Sequence, residues 1–135
     1  MRALVDTGAP ISFFDRGAAD ALGLTLQQAG ADYTSLRILG GSWRAKFEFV
    51  DLALTAYPGL SWTARVAFIL DPALQMPFQG VLGTDGFLDK FAVTFNKYYG
   101  YFVVEHPDYF HDRVGKPLTD DPTLRADEHW RHAQS

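Results

Sequence analysis

The chain has 135 residues, of which 47% are hydrophobic and 21% charged, and this is the size and composition of one globular domain. Its net charge of −4 offers no basic surface to a nucleic acid, and it contains no apolar run long enough to cross a bilayer. The lack of cysteine excludes disulfides, thiolate metal sites and a cysteine nucleophile. Because the first residues show no leader pattern, we expect a cytoplasmic protein without nucleic-acid or membrane partners.

The predicted elements begin with a short apolar strand over residues 2–5, which stops at a turn. Asp15 is a suitable N-cap for a helix over residues 16–22. Gly23 is placed to end that helix in a left-handed conformation, which glycine adopts without strain. The sequence therefore predicts one short strand followed by one short helix.

A β-hairpin is predicted next. Hydrophobic and polar residues alternate over residues 35–50, which is typical of strands with one wet face. The alternation is interrupted by Gly40 and Gly41, and both glycines can adopt the positive φ that a tight hairpin turn requires. The turn is therefore predicted at this pair.

The second half of the chain continues the β pattern and then loses it. Short strands with one or two short helices predict a mostly β, barrel-like sandwich over residues 1–105. Residues 106–135 are charged and contain three prolines without periodicity, which predicts a flexible tail with a helical turn near residues 127–132. The elements predicted before the tail are, in order, a turn at Pro58 and Gly59, strands over residues 62–70 and 81–82, a brief helix over residues 85–91 and a hairpin over residues 92–104.

Two motifs carry the chemistry. Residues 4–9 read Leu-Val-Asp-Thr-Gly-Ala, which puts Asp6 in a tight turn at the end of an apolar strand. A partly buried carboxyl group in such a place can take part in proton transfer. Residues 80–83 read Gly-Val-Leu-Gly, and Gly83 is interpreted as a packing glycine where the Asp6 turn passes close.

Together, residues 4–9 and residues 81–88 resemble the retropepsin-like aspartic proteases. The run over residues 87–95 is similar to the bacterial single-domain members, and the order of strands, glycine-tipped hairpin and second motif also fits. The resemblance covers roughly residues 3–104 and rests on the two motifs in combination. It implies a closed, barrel-like acid-protease domain that needs no metal and no cofactor.

The resemblance also implies a role for each motif residue. Asp6 is the catalytic residue. One chain supplies one Asp-Thr-Gly turn, so the enzyme is a homodimer in which two such carboxyl groups share a proton and activate a water to hydrolyse peptide bonds. The supporting residues are Thr7, Gly8 and Ala9 in the catalytic turn, Gly40 and Gly41 in the flap, and Val81, Leu82 and Gly83 packed on the catalytic loop.

Three positions depart from related enzymes. Pro10 and Thr84 stand where retroviral members carry an acidic residue and an arginine that pair, so substrate selection is expected to differ. Ala9 lacks the hydroxyl of many pepsin-like relatives, and we therefore expect activity at mildly acidic pH.

Other interpretations remain open. Only five residues precede Asp6, whereas the family has further strand structure there, and this favours a catalytically inactive retropepsin-like dimerisation or peptide-binding module. Asp6 could also be an ordinary turn residue that caps backbone amides. His129 and His132 have the spacing of metal ligands on a helix, but no third ligand is evident, so a solvated tail is the preferred interpretation.

Overall fold

The computed structural model describes residues 1–26 and 32–114. Eight strands and two short helices make up these ranges, so the predicted mostly β architecture is confirmed. The chain divides into two compact units, Met1–Lys90 and Phe91–Ser135. Within the described ranges, neither helix has the length and apolar character to pass through a membrane.

The first unit is built on a six-stranded sheet. In spatial order the strands run β1-β6-β2-β5-β4-β3. The pairs β1–β6 and β2–β5 are parallel, and the other three pairs are antiparallel. The six strands are β1 (Ala3–Val5), β2 (Phe13–Phe14), β3 (Tyr33–Ile38), β4 (Gly41–Leu54), β5 (Tyr57–Ile69) and β6 (Gly80–Leu82).

This sheet curls into a half-barrel that stays open, so the predicted closed barrel is wrong. A barrel closes when its two edge strands hydrogen-bond to each other. Here the edges are β1 and β3, and these two strands do not pair with each other among the described residues. Strand β1 has only three residues, so it could form only a few of the hydrogen bonds that would close a barrel.

The core of the first unit lies on the inner face of the sheet. Strand β5 is buried from Val66 to Ile69, because it lies between β2 and β4. The alternation predicted for the hairpin accounts for much of the rest, since alternate residues of β3 and of β4 as far as Phe47 pack inward. The alternation fails at Phe49, which is 73% exposed. The buried cluster comprises Ala45, Ala67, Ile69 and Leu74, with Ile11, Phe13, Leu36, Ile38, Trp43, Phe47 and Met76 packed against it.

Helix α1 (Arg16–Ala21) forms as the sequence predicts. The Oδ1 atom of Asp15 accepts a hydrogen bond from the N–H of Ala18 at 2.8 Å, which satisfies one of the free donors of the first turn. Gly23 follows the helix with a φ of +69°. Local capping residues therefore determine both ends of this helix.

Two local predictions are wrong. The predicted helix over residues 85–91 is a series of hydrogen-bonded turns, because Gly86 has a φ of +95°, which an α-helix does not accommodate. The turn predicted at Pro58 and Gly59 lies at residues 55–56 instead, and both residues belong to β5.

The second unit, over its described residues, is a hairpin followed by a helix. Strands β7 (Ala92–Asn96) and β8 (Tyr101–Glu105) are antiparallel. Helix α2 (Pro107–Val114) lies within the segment predicted to be a tail, and the guanidinium of Arg113 donates hydrogen bonds to the carboxylate of Glu105. Residues 115–135, with the predicted helical turn and both tail histidines, lie outside the described residues.

Candidate functional site

The Asp6 turn, residues 6–9, comes directly after β1. The N–H of Asp6 donates to the carbonyl oxygen of Leu82 at 3.0 Å, which extends the β1–β6 ladder by one bond. The Oδ1 atom of Asp6 accepts from the N–H of Gly8 at 2.9 Å, and the N–H of Ala9 donates to the Asp6 carbonyl at 3.2 Å. The half-buried carboxyl group is thus held by one oxygen, and Oδ2 makes no hydrogen bond with the described residues.

Strand β6 lies between β1 and β2, although β1 and β2 are neighbours in the chain. Val81 pairs with Leu4 on one side and with Phe13 on the other. All three residues of β6 are buried. The loop from β1 to β2 carries the Asp6 turn and passes round the end of β6, so the fold brings the two sequence motifs side by side.

The residues that follow β6 form backbone hydrogen bonds with the segment that comes after Asp6. The N–H of Thr84 donates to the carbonyl oxygen of Ala9 at 2.8 Å, and the N–H of Asp85 donates to that of Pro10 at 3.0 Å. Pro10 and Thr84 are the positions where the retroviral pattern has an ion pair. In this protein, backbone hydrogen bonds join the same two segments.

Gly83 marks the closest approach of these segments. A Cβ atom at this position would lie 2.5 Å from the carbonyl oxygen of Ile11 and 2.6 Å from that of Ala9. Both neighbours are backbone atoms and cannot swing aside as a side chain can. The position therefore requires glycine, and any side chain here would push β6 away from the Asp6 turn.

An apolar groove of about 590 Å³ lies beside the Asp6 turn. One wall is formed by Asp6 and the residues after it, a second by residues 35–39, and a third by residues 76–78. Several of its lining side chains also pack on the buried cluster, so the floor of the groove is the outer surface of the core. These shared side chains are Ile11, Phe13, Leu36, Ile38 and Met76.

The tip of the β3–β4 hairpin consists of Leu39, which lines this groove, and Gly40. Leu39 has a φ of +51° and Gly40 a φ of +80°, and Ile38 pairs with Gly41 across them. This is the two-residue turn with two positive φ angles that matches the twist of a hairpin. The turn predicted at Gly40 and Gly41 is therefore wrong by one residue, since Gly41 begins β4.

The Trp43 side chain packs next to the turn. A Cβ atom on Gly41 would lie 2.9 Å from Nε1 of Trp43, so the indole lies over this residue and a side chain there would have to displace it. The indole N–H donates to the carbonyl oxygen of Ile38 at 3.3 Å. The left-handed position falls instead to Leu39, whose side chain is 80% exposed and lines the groove. An exposed leucine with positive φ is strained, and such strain concentrates at functional sites.

The predicted site residues take different places around the groove. Asp6, Gly8, Ala9 and Val81 line it, whereas Leu82 and Gly83 hold the Asp6 turn from behind. Thr7 is exposed, and its side chain makes no hydrogen bond with a described residue. The two predicted flap glycines belong to the hairpin but do not line the groove.

Sequence reasoning missed two residues, Leu39 and Ser12. Ser12 is fully buried, and its Oγ accepts from the N–H of Gly83 at 2.9 Å. A signal for it was present, because a hydroxyl between the apolar residues Ile11 and Phe13 must find a buried partner. Leu39 left no such signal, because a positive φ is uncommon for leucine.

The described residues contain no group of three or more histidine, aspartate or glutamate side chains that could hold a metal ion. Searches of protein families, of characterised proteins and of solved structures found no match to this chain. A functional interpretation therefore depends on the arrangement of the Asp6 turn, β6, the groove and the hairpin.

Proposed function

We propose that this chain is one subunit of a homodimeric, retropepsin-like aspartic endopeptidase in which Asp6 is the catalytic residue. The observation that carries the proposal is the Asp6 carboxyl group on the wall of an apolar groove, with its backbone fixed by β6 and with the hairpin residues 35–39 forming another wall. Among the described residues, Asp6 is the one carboxylate in the groove lining. Peptide hydrolysis of this kind needs an acid and a base, so a second copy supplies the second carboxyl group.

The proposed reaction depends on two such groups at a two-fold axis. Two carboxyl groups within hydrogen-bond distance cannot both be ionised, so they share one proton. The ionised group takes a proton from a water, whose oxygen attacks the carbonyl carbon of the peptide bond, while the protonated group gives its proton to the carbonyl oxygen. The C–N bond of the resulting tetrahedral diol then breaks. The leaving amine takes a proton from the carboxyl group that acted as base, while the other carboxylate takes a proton from one diol hydroxyl, which yields the carboxylic acid and restores the shared proton.

An extended peptide is the substrate that this groove suits best. Strand β3 forms an edge of the sheet and lines the groove, so one side of its backbone is not paired with another strand of the described residues. An extended chain can add to such an edge through main-chain hydrogen bonds, and apolar walls can hold its alternate side chains. The hairpin tip would then cover the peptide and limit the access of water.

The test is peptide cleavage by the full chain. A mixture of unstructured peptides is incubated with the wild-type protein, with Asp6→Asn and with a control, Asp112→Asn, and the products are read by mass spectrometry. Asp112 is exposed on α2 and belongs to the second unit, not to the unit that carries Asp6. We expect Asp6→Asn to lower kcat/KM by at least about a thousandfold, and Asp112→Asn to cleave like the wild type. Equal cleavage by wild type and Asp6→Asn would overturn the proposal.

A second candidate function, a catalytically inactive peptide-binding or dimerisation module, is favoured by the exposed edge at β1. Among the described residues this strand is paired on one side only, and Leu4 is 44% exposed there. If the module is inactive, wild type and Asp6→Asn bind the same peptides with the same affinity and neither cleaves them. Calorimetric titration of both proteins with the peptide mixture, followed by mass spectrometry, separates the two functions.

A further inference from the structure

Ser12 is the one buried polar side chain in the part of the chain that the structure describes. It is fully buried, and it lies in the run over residues 11–14, whose other members are apolar. Burying a hydroxyl is unfavourable unless its hydrogen bonds are replaced within the protein. The burial of this hydroxyl group just after the Asp6 turn therefore has to be explained by its hydrogen bonds.

Every polar atom of Ser12 is hydrogen-bonded. Its Oγ accepts from the N–H of Gly83 at 2.9 Å and donates to the carbonyl oxygen of Asp85 at 2.8 Å. Its own N–H donates to the same Asp85 oxygen at 3.0 Å, and its carbonyl accepts from the N–H of Ala67 on β5 at 3.0 Å. One residue therefore ties the segment after β6 to the central strand of the sheet.

A single peptide group connects Ser12 to Asp6. Leu82 and Gly83 share this group, whose carbonyl oxygen accepts from the N–H of Asp6 at 3.0 Å while its N–H donates to the Ser12 hydroxyl. A peptide group is planar and rigid, so its two ends move together. Hydrogen bonds in such a chain also polarise and strengthen one another. The Ser12 hydroxyl and the Asp6 backbone are thus held by opposite ends of one rigid unit.

The surrounding residues leave the hydroxyl little freedom. A Cβ atom on Gly86 would lie 3.2 Å from the Ser12 Oγ, so Gly86 lies close to the hydroxyl and a side chain at this position would crowd it. Gly83 is fixed by its close contact with the Ile11 and Ala9 carbonyls. The hydroxyl is therefore positioned by packing as well as by its hydrogen bonds.

We propose that Ser12 is a positioning residue for the reaction at Asp6: its hydroxyl fixes the Leu82–Gly83 peptide group and, through it, the place of the Asp6 turn beside the groove. This role rests on the proposed function. Ser12 does not line the groove, and it acts through the peptide group rather than on the substrate. Replacement by alanine leaves the Asp85 carbonyl its bond from the Ser12 N–H, so the Gly83 N–H alone loses its partner.

The first test measures kcat and KM separately for Ser12→Ala in the full chain. The control is Ile69→Val, which removes a methyl group from the buried cluster and no hydrogen bond from the Asp6 segment. Both are assayed at a temperature at which circular dichroism shows them folded. We expect Ser12→Ala to lose roughly tenfold to a hundredfold in kcat, because small displacements of a reacting group cost this much. We expect its KM to stay within about threefold and Ile69→Val to keep its kcat.

The second test does not depend on turnover. Amide hydrogen exchange, monitored by NMR, is compared between wild type and Ser12→Ala. The N–H groups of Gly83 and Asp6 should exchange at least about tenfold faster in the variant, while the amides of β4 and β5 keep their protection. Unchanged exchange at both sites overturns the proposal, and so does a kcat equal to that of Ile69→Val.

The two proposals fail in distinguishable ways. If the wild type cleaves no peptide, the proposed function fails, and the exchange of Gly83 and Asp6 still decides whether Ser12 holds the turn. If the wild type cleaves peptides and Ser12→Ala retains its kcat and its exchange pattern, the proposed function stands and the role of Ser12 is refuted.

Discussion

The Asp6 turn and the hairpin tip are held in opposite ways. Beside the Asp6 turn, the N–H groups of residues 83–85 donate in succession to the segment over residues 9–12, and β6 is buried throughout. At the tip, Leu39 and Gly40 form a turn that is exposed and left-handed. Under the proposed function, the Asp6 carboxyl group must be held in one geometry, whereas a cover must move to admit a peptide. The proposal therefore assigns the reaction to the hydrogen-bonded segment and the cover to the exposed tip.

A glycine-to-alanine pair tests this contrast directly. At Gly83 the new Cβ would meet two backbone oxygens at 2.5 and 2.6 Å, so Gly83→Ala should destabilise the protein by about 3 kcal/mol and abolish cleavage. At Gly40 the Cβ meets no described atom within 4 Å, so Gly40→Ala should cost only the left-handed strain of about 1 kcal/mol. Urea unfolding measures the free energy of unfolding of both variants. Equal losses of stability would show that the segment around Gly83 and the hairpin tip are not held differently.

Mixing subunits tests whether the Asp6 carboxyl group of one subunit is sufficient for cleavage. Wild type and Asp6→Asn are combined in equal amounts at fixed total concentration, unfolded and refolded together, and assayed for cleavage. If both carboxyl groups are needed, only wild-type pairs react, and the rate falls to about one quarter of the wild-type rate. If each subunit works alone, the rate falls to about one half. Sedimentation of the mixture confirms that dimers have formed.

The smallest effect is expected at the tip. Asparagine tolerates positive φ better than leucine, so Leu39→Asn should stabilise the hairpin by about 0.5 kcal/mol. It also removes an apolar side chain that lines the groove, so we expect KM to rise about threefold with little change in kcat. Thermal unfolding and steady-state kinetics measure the two effects. A drop in kcat with KM unchanged would show that the tip acts on the reaction rather than on binding.

Much of the first unit could be predicted from local sequence signals. Asp15 and Gly23 bound α1, because capping depends on a few neighbouring atoms. The alternation over residues 35–50 predicts β3 and β4, since a strand with one buried face repeats every two residues. The two motifs were interpreted as neighbours, and the structure places Gly83 against the segment that comes after Asp6.

Some missed features depend on distant contacts and others on backbone angles. Strand β2 has only two residues and exists because β6 and β5 flank it, which no local pattern indicates. The hairpin turn lies at Leu39 and Gly40, where Leu39 adopts a positive φ that is uncommon for leucine. Gly86 has a positive φ, so the segment predicted to be a helix over residues 85–91 forms turns instead. Whether the sheet closes depends on whether its edge strands, β1 and β3, hydrogen-bond to each other, and the composition of the chain does not determine this.

The insertion of β6 between β1 and β2 also sets the order in which the molecule can be assembled. The N–H of Arg2 donates to Oε1 of Gln79, a residue 77 positions further along the chain, and the partners of Asp6 come later still. Contacts this distant in sequence form slowly, because a long loop must close first. A ribosome-bound chain that has not been translated past residue 85 lacks the strand and turn that hold Asp6. The Asp6 turn therefore cannot be held in place until β6 and the turn after it have been synthesised.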